Sequence, residues 1–186
     1  MNLETLDIPN ELPAEALNAP VTGAGLSPGT LGDQLSDGLT LLVFLRHFGC
    51  MFCRETVSDL RTAADGNTDF PRVLFFSQAS ATEARAFMRR YWPNTRVIAD
   101  PQLELYDLFG IPRAGFLEAI GPKVLVARSR ARKKGLTNGP NSGDIWRMPG
   151  IFAVEGERIV WAHEAEHAAD HPDFSRIPEL IRQECD

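Results

Sequence analysis

The chain has 186 residues and a formal net charge of -6, and no basic segment followed by an apolar stretch opens it. This length suits one domain with some additions, and the negative charge argues against nucleic acid as the main partner. The longest apolar run, at residues 39–45, is too short to span a bilayer. We therefore expect a cytoplasmic protein with neither a membrane nor a nucleic-acid partner.

The first 37 residues differ in composition from the rest of the chain. They are rich in Pro, Gly, Asn and Asp, with short apolar pieces between. This predicts an N-terminal extension, residues 1–37, that packs on a domain formed by residues 38–186. The domain opens with an apolar run at residues 40–45, which is typical of a strand buried on both faces. A helical pattern follows and ends near Gly66.

Two more strands and two helices are predicted before residue 111. The apolar runs at residues 72–77 and 96–99 indicate buried strands. Between them, Ser80 and Glu83 form a capping-box pattern that predicts the start of a helix, and Pro93 stops it. Residues 103–109 predict a short helix closed by Gly110.

Residues 111–147 carry the weakest pattern in the chain. A helix is suggested only for residues 114–120, and the basic run at residues 128–134 is interpreted as a solvated loop. Two strands at residues 150–154 and 158–162, joined by three residues, then predict a hairpin. A final helix is expected over residues 175–183. This order of elements predicts an α/β fold with a mixed central sheet flanked by helices on both faces.

A pair of cysteines, Cys50 and Cys53, lies where the first strand of the domain ends and the first long helix begins. The free N–H groups and partial positive charge of a helix N-terminus stabilise a thiolate, and Arg46, His47 and Arg54 add positive potential. One thiolate then attacks a substrate, and the other closes an intramolecular disulfide. The pair therefore predicts thiol redox chemistry that uses no additional cofactor and no metal.

Residues 44–55, Phe-Leu-Arg-His-Phe-Gly-Cys-Met-Phe-Cys-Arg-Glu, resemble the peroxiredoxin-like branch of the alkyl hydroperoxide reductase/thiol-specific antioxidant (AhpC/TSA) family, near the selenoprotein L-type proteins. Residues 100–110 and 146–152 resemble the same family more weakly. The resemblance implies a thioredoxin-like fold, with Pro149 as a cis-proline beside the cysteines. It also implies that Arg147 helps to stabilise the reactive thiolate. The alternatives are a trans proline at the strand edge and a solvent-facing arginine.

The cysteine segment departs from the peroxiredoxin pattern Pro-x-x-x-Thr-x-x-Cys. With the peroxiredoxin cysteine aligned on Cys53, Cys50 takes the place of the threonine and Arg46 that of the proline. Because that threonine orients the peroxide, we predict a thiol-disulfide oxidoreductase with weak peroxidase activity. The alternative is a thiol-dependent peroxidase with Cys53 as the peroxidatic cysteine. The spacing leaves the attacking cysteine open, and we favour Cys50 because we expect it to be the more exposed at the helix start.

The expected partners follow from this chemistry. The substrate is a disulfide, in a protein or a small molecule, or a hydroperoxide. The electron donor is a thiol of the thioredoxin or glutathione type. Members of the family often dimerise, so a homodimer is among the expected assemblies.

Two other functions are weighed against the redox interpretation. Residues 163–167 match the HExxH pattern of zinc proteases, which needs both histidines on one helix face, but His163 directly follows a predicted strand. The second of these functions is that of a redox-inactive binding module with a thioredoxin fold, and the intact cysteine pair argues against it. A structural zinc site would need two more ligands at short spacing, and the sequence offers only Cys185. We expect Cys185 to be a tail cysteine without a catalytic role, and the alternative is a resolving function.

Overall fold

The centre of the structure is a six-stranded sheet. A computed structural model describes residues 10–35 and 38–185. The strands are β1 (Gly23–Ala24), β2 (Thr40–Phe44), β3 (Arg72–Ser77), β4 (Arg96–Ala99), β5 (Gly150–Glu155) and β6 (Arg158–Glu164). The helices are α1 (Ala14–Leu17), α2 (Met51–Ala64), α3 (Ala81–Tyr91), α4 (Glu104–Leu108), α5 (Phe116–Ile120), α6 (Pro122–Lys133) and α7 (Ile177–Cys185). Short 3₁₀ turns lie at Gly32–Gln34 and Phe174–Arg176.

The sheet is mixed, as the order of elements predicts. Its strand order is β1-β4-β3-β2-β5-β6, in which β2, β3 and β4 are parallel while β5, β6 and β1 pair antiparallel with their neighbours. All five residues of β2 are buried, which places the strand that leads to Cys50 in the middle of the core. The edge strand β1 was not predicted. A Cβ on Gly23 would lie 1.9 Å from the Val97 carbonyl oxygen, so this strand depends on a residue that carries no apolar signal.

An apolar cluster covers each face of the sheet. One cluster contains both cysteines and the buried sides of α2, α3, α6 and α7. The other lies under α4 and under residues 10–35, from which it takes Leu12, Ala16, Leu31 and Leu35. The predicted extension at residues 1–37 therefore lies on the sheet over its described part, whereas residues 1–9 and 36–37 fall outside the described residues. None of the helices in the described ranges combines the length and apolar character that a bilayer crossing requires.

The basic run at residues 128–134 is not a loop, so that interpretation is wrong. It forms the second half of α6, and Lys134 is the C-cap residue. Val124, Ala127 and Ala131 are buried at the spacing of one helix face, and they hold α6 against the core. The charges concealed this stripe, because two of the basic side chains are partners of acidic groups on α2.

Glu55 on α2 is a carboxylate with no exposed surface, and the basic end of α6 compensates its charge. Arg130 donates to both carboxylate oxygens at 2.9 Å. The Lys134 ammonium lies 3.0 Å from Glu55 and 2.6 Å from Asp59. Burial by itself raises the pKa of Glu55, but hydrogen bonds from His171, Arg130 and Lys134 outweigh it and hold the pKa well below its usual range. This network joins α6 to the helix that carries the cysteines.

We expect Glu55→Gln to lower the free energy of unfolding by about 1–3 kcal/mol at neutral pH, because it leaves two half-exposed cations without their buried partner. Since the folded-state pKa is depressed, the stabilising effect of Glu55 is present above the ordinary value of 4.5 and is lost as the pH falls below it. Denaturant unfolding of both proteins at several pH values checks this.

The control for that experiment is Glu166→Gln. Glu166 pairs with Lys123 at 2.5 Å, but both side chains are about 70% exposed. We expect the loss of this exposed pair to change stability far less than the loss of Glu55, because water screens both charges. An equal loss in the two variants would show that the buried network adds nothing beyond ordinary surface electrostatics.

Candidate active site

The two cysteines lie at the carboxyl end of β2, a strand with a parallel neighbour on one side and an antiparallel neighbour on the other. Cys50 is the N-cap residue of α2, and Cys53 lies in its first turn. The helix has no acidic residue in that turn, so its positive end is not neutralised there. Each cysteine is free and only 4% exposed. The expectation that Cys50 is the more exposed of the two is therefore wrong, because both side chains are buried to the same extent.

Arg46 is the cation nearest to the sulfur of Cys50. Its Nη1 lies 3.6 Å from that atom. The rest of the guanidinium is held by backbone carbonyls, because Nε donates to the Arg147 oxygen at 3.0 Å and Nη2 donates to the Ile145 oxygen. Arg46 is 7% exposed, so its charge acts on the thiol with little screening by water.

The environment drives the pKa values of the two thiols apart. A hydrogen bond from the Cys53 thiol is the main cause that lowers the pKa of Cys50 to about 6. Burial opposes this shift, whereas the charge of Arg46 and the N–H groups of Cys53 and Phe52 add to it. Burial raises the pKa of Cys53 well above its ordinary value, as do its donation to Cys50 and the charge of that neighbour. These shifts favour the thiolate form at Cys50 and the protonated form at Cys53.

The two other basic residues of the motif have different roles. Burial, with the charges of Arg46 and Arg54, lowers the pKa of His47 to about 4, so its imidazole is neutral at pH 7. Arg54 donates to the Phe48 oxygen at 3.2 Å and to the Thr137 oxygen at 2.7 Å. Arg54 thus ties the start of α2 to a segment more than 80 residues later in the chain.

That segment, residues 137–140, packs on Gly49 and Met51, the residues on either side of Cys50, and we call it the covering loop. The Asn138 side-chain oxygen accepts a hydrogen bond from the Met51 N–H at 3.0 Å, and Gly139 donates its N–H to the Gly49 oxygen at 2.8 Å. A Cβ at Gly49 would lie 2.0 Å from the Pro140 oxygen, so this contact requires glycine. Sequence reasoning missed Asn138 because nothing near residue 138 indicates a partner 87 residues away.

Pro149 and Arg147 differ from what the resemblance implies. No cis peptide bond occurs in the described residues, so the expectation of a cis-proline is wrong. Pro149 does line a small cavity of about 10 Å³ together with Cys53. The Arg147 side chain is 7% exposed and donates to the Ile111 oxygen and to Asp107. It is therefore neither solvent-facing nor a described partner of a thiol, and only its backbone oxygen reaches the site, through Arg46.

The remaining sequence motifs lie apart from this arrangement. His163 is part of β6, and His167 follows in a turn, so the two histidines cannot share the helix face that a zinc protease needs. Cys185 ends α7, and its side chain is outside the described part of the structure. Gln78 is buried and joins the site by donating to the Arg46 oxygen and accepting from the Asp144 N–H at 2.6 Å.

Known proteins similar to this chain place it in a family. The sequence model described as "AhpC/TSA antioxidant enzyme" matches residues 59–167, which is more than half of the protein. The chain belongs to the AhpC/TSA antioxidant enzyme family. The matched region begins after Cys53, so the assignment is independent of the cysteine pair. The predicted family is therefore confirmed, while the roles of the two cysteines stay a prediction.

Relatives in this family differ in their named activities. Peroxiredoxin-like 2C of Bos taurus is 24% identical over 91% of this chain and 79% of that protein. Prostamide/prostaglandin F synthase of Xenopus tropicalis is 25% identical over 76% of this chain and 73% of that protein. These similarities support thiol redox chemistry as a class and leave the substrate to the local geometry.

Solved structures confirm the predicted thioredoxin-like fold class. Peroxiredoxin Q from Xanthomonas campestris superimposes with a TM-score of 0.62 at 16% identity, over 97% of this chain and 99% of that one. A putative thiol:disulfide interchange protein DsbE from Chlorobium tepidum gives 0.58 at 15% identity, over 97% and 99%. Because both kinds of protein share this fold, the fold alone does not choose between them.

We expect the rate of Cys50 alkylation by iodoacetamide to rise with a midpoint near pH 6, far below the ordinary thiol value of 9.0. The thiolate is the nucleophile, so alkylation slows as the pH falls through the midpoint. Mass spectrometry in a Cys185→Ser background measures it. When Cys50→Ser is added, Cys53 should react only at higher pH. A single titration near pH 9 in the protein that keeps both Cys50 and Cys53 would contradict the lowered pKa of Cys50.

We expect Arg46→Gln to raise that midpoint by about 1 pH unit or more, because it removes a cation from beside the sulfur. Arg46→Lys restores a charge and should recover part of the shift. The matched control is Arg54→Gln, which removes a nearby cation whose hydrogen bonds go to carbonyls rather than to sulfur. Equal shifts in the two glutamine variants would mean that the low midpoint comes from the overall positive potential of the site rather than from Arg46 in particular.

Proposed function

We propose that this protein is a thiol-disulfide oxidoreductase in which Cys50 attacks and Cys53 resolves. The observation that carries the proposal is the opposed pKa values of two adjacent thiols, with Cys50 lowered to about 6 and Cys53 raised. A nucleophile needs to be a thiolate at the working pH, while a resolving thiol must keep its proton until the intermediate forms. This pair supplies both states in one turn of helix.

The reaction follows from these states. The Cys50 thiolate attacks one sulfur of a substrate disulfide, forms a mixed disulfide, and releases the other substrate sulfur as a thiolate. Cys50 then no longer carries the negative charge that helps to raise the pKa of Cys53. Cys53 loses its proton and attacks the Cys50 sulfur, which releases the second substrate thiolate. The substrate gains two electrons, and the protein ends with a Cys50–Cys53 disulfide.

Access to the sulfur limits which substrates react with the closed form. The cavity beside Cys53 has a volume of about 10 Å³, room for about one water molecule. Cys50 itself is only 4% exposed and the covering loop contacts both of its neighbours, so a peptide or a bulky disulfide requires this loop to open. Thiol electron donors of the thioredoxin or glutathione type would complete the cycle by reducing the Cys50–Cys53 disulfide.

Reduction of a small hydroperoxide is the second candidate function. The Cys50 thiolate would attack the peroxide O–O bond to give a sulfenic acid and water or an alcohol, and Cys53 would condense with the sulfenic acid and release water. Family membership agrees with this reaction. Cys53 is a poor candidate for the peroxidatic residue, because burial raises its pKa and keeps it protonated.

We expect the two single-cysteine variants, in a Cys185→Ser background, to stop at different points with 5,5′-dithiobis(2-nitrobenzoate). The parent should release two nitrothiobenzoate ions per chain, because Cys53 displaces the first adduct. Cys53→Ser should release one and retain the adduct on Cys50, and Cys50→Ser should react slowly. Absorbance at neutral pH and intact mass measure these products. A fast, stable adduct on Cys53 in the Cys50→Ser variant would contradict the assigned order.

The same variants separate the two substrate classes. Cys53→Ser treated with hydrogen peroxide and dimedone should accumulate the sulfenic acid adduct on Cys50 if peroxide is reduced. We expect this reaction to be slower than the reaction with the disulfide at equal concentration, because no threonine orients the peroxide. A faster peroxide reaction would reverse the order of the two candidates.

A further inference from the structure

The α5–α6 hairpin exposes apolar side chains on the surface. Among the side chains that the structure describes, three large hydrophobic ones are exposed, and all lie on these two helices: Phe116 is 69% exposed, Leu125 54% and Val126 74%. Single exposed apolar residues are common and need no explanation, but a group of them on one surface element indicates an interaction site. The α5 helix packs against α6, so the three belong to one surface.

Basic side chains without described ion-pair partners lie on the same surface. Arg130 and Lys134 are bound to α2, and Lys123 pairs with Glu166. The other cations of α6 are Arg128, Arg132 and Lys133, and none of them forms an ion pair with a described residue. In a protein with a net charge of -6, this is a local concentration of positive charge.

Helical geometry puts the apolar and basic groups on one outward face. One row along the helix contains Leu125, Ser129 and Arg132, which are four and three residues apart and therefore lie above one another. The next row contains Val126 and Lys133, which are seven residues apart. The opposite side of α6 buries Val124, Ala127 and Ala131 in the cluster that contains both cysteines. We call the outward face, with Phe116, these five residues and the half-buried Arg128 at its edge, the α6 face.

We infer that the α6 face is the docking surface for the protein dithiol that reduces the Cys50–Cys53 disulfide, and that this reductant carries carboxylates around an apolar centre. The inference rests on the proposed function. An apolar centre with a charged rim is the ordinary composition of a protein interface. Unpaired cations select a partner of opposite charge and speed its encounter.

The reduction conserves atoms and electrons. A thiolate of the partner attacks one sulfur of the Cys50–Cys53 disulfide, which forms a mixed disulfide and frees the other cysteine. The partner's second thiol loses its proton and attacks the mixed disulfide, and the partner leaves as a disulfide. Two electrons and two protons pass to this protein.

The position of α6 next to the cysteines supports a reductant rather than another partner. The chain leaves α6 at Lys133 and within five residues reaches Asn138, which binds the Met51 N–H. A protein held on the α6 face therefore lies beside the covering loop.

The test uses the full chain with Cys185→Ser, oxidised to the Cys50–Cys53 disulfide. The reductants are dithiothreitol, an acidic thioredoxin-type protein, and the same protein with its surface carboxylates changed to amides. We expect Arg128→Glu/Arg132→Glu/Lys133→Glu to slow reduction by the acidic protein about tenfold at low salt and to leave the dithiothreitol rate unchanged. Leu125→Ser/Val126→Ser should slow it without changing its salt dependence.

The control is Arg85→Glu/Arg89→Glu/Arg90→Glu on α3, which reverses three exposed arginines and changes the net charge equally. Equal slowing in the two triple variants would overturn the inference, as would equal rates with the acidic and amidated reductants, or no reduction of the parent by the acidic protein. Binding of the parent to phosphatidylserine vesicles that the α6 variant loses would also overturn it, in favour of a membrane. If no Cys50–Cys53 disulfide forms, or dithiothreitol does not reduce it, the proposed function fails first.

Discussion

A buried guanidinium organises the site on which the rest of this structure converges. Arg46 lies two residues after the end of β2 and cannot be removed from water at low cost unless its charge and its N–H groups find partners. It finds them in the carbonyl oxygens of Ile145 and Arg147 and in the sulfur of Cys50. The same side chain therefore fixes the path of the residues before β5 and favours the charged form of the thiol. Fold and reactivity depend on one buried cation.

Local sequence patterns predicted the elements whose causes are local. The continuous apolar runs of β2 and β3 and the Ser80–Glu83 capping box of α3 each contain the interactions that form them. Strands β2 and β3 are buried over nearly their whole length, so their apolar residues are adjacent in sequence. The cysteine pair at a strand-to-helix junction belongs to the same class, and its place at the start of α2 is as predicted.

The features that sequence reasoning missed depend on contacts far apart in the chain. The charges of α6 hid its buried stripe, and they make sense only beside Glu55, 75 residues away. Arg147 turns to Asp107 rather than to a thiol, and the residues on either side of Cys50 contact a loop that begins 87 residues after it. Resemblance to a family predicts where a residue lies in the chain better than it predicts the rotamer or the partner of its side chain.

The hydrogen bond between Asn138 and the Met51 N–H has a consequence for kinetics. It exists only while the covering loop is closed, which is also when the Cys50 sulfur is buried and its charge is best stabilised. Opening the loop exposes the sulfur and admits water that weakens this stabilisation. The observed reactivity is then the product of an opening equilibrium and an intrinsic rate in the open form. Amide hydrogen exchange at Met51 reports the same opening, so the reactivity of the thiol and the exchange of this backbone amide should depend on one opening equilibrium.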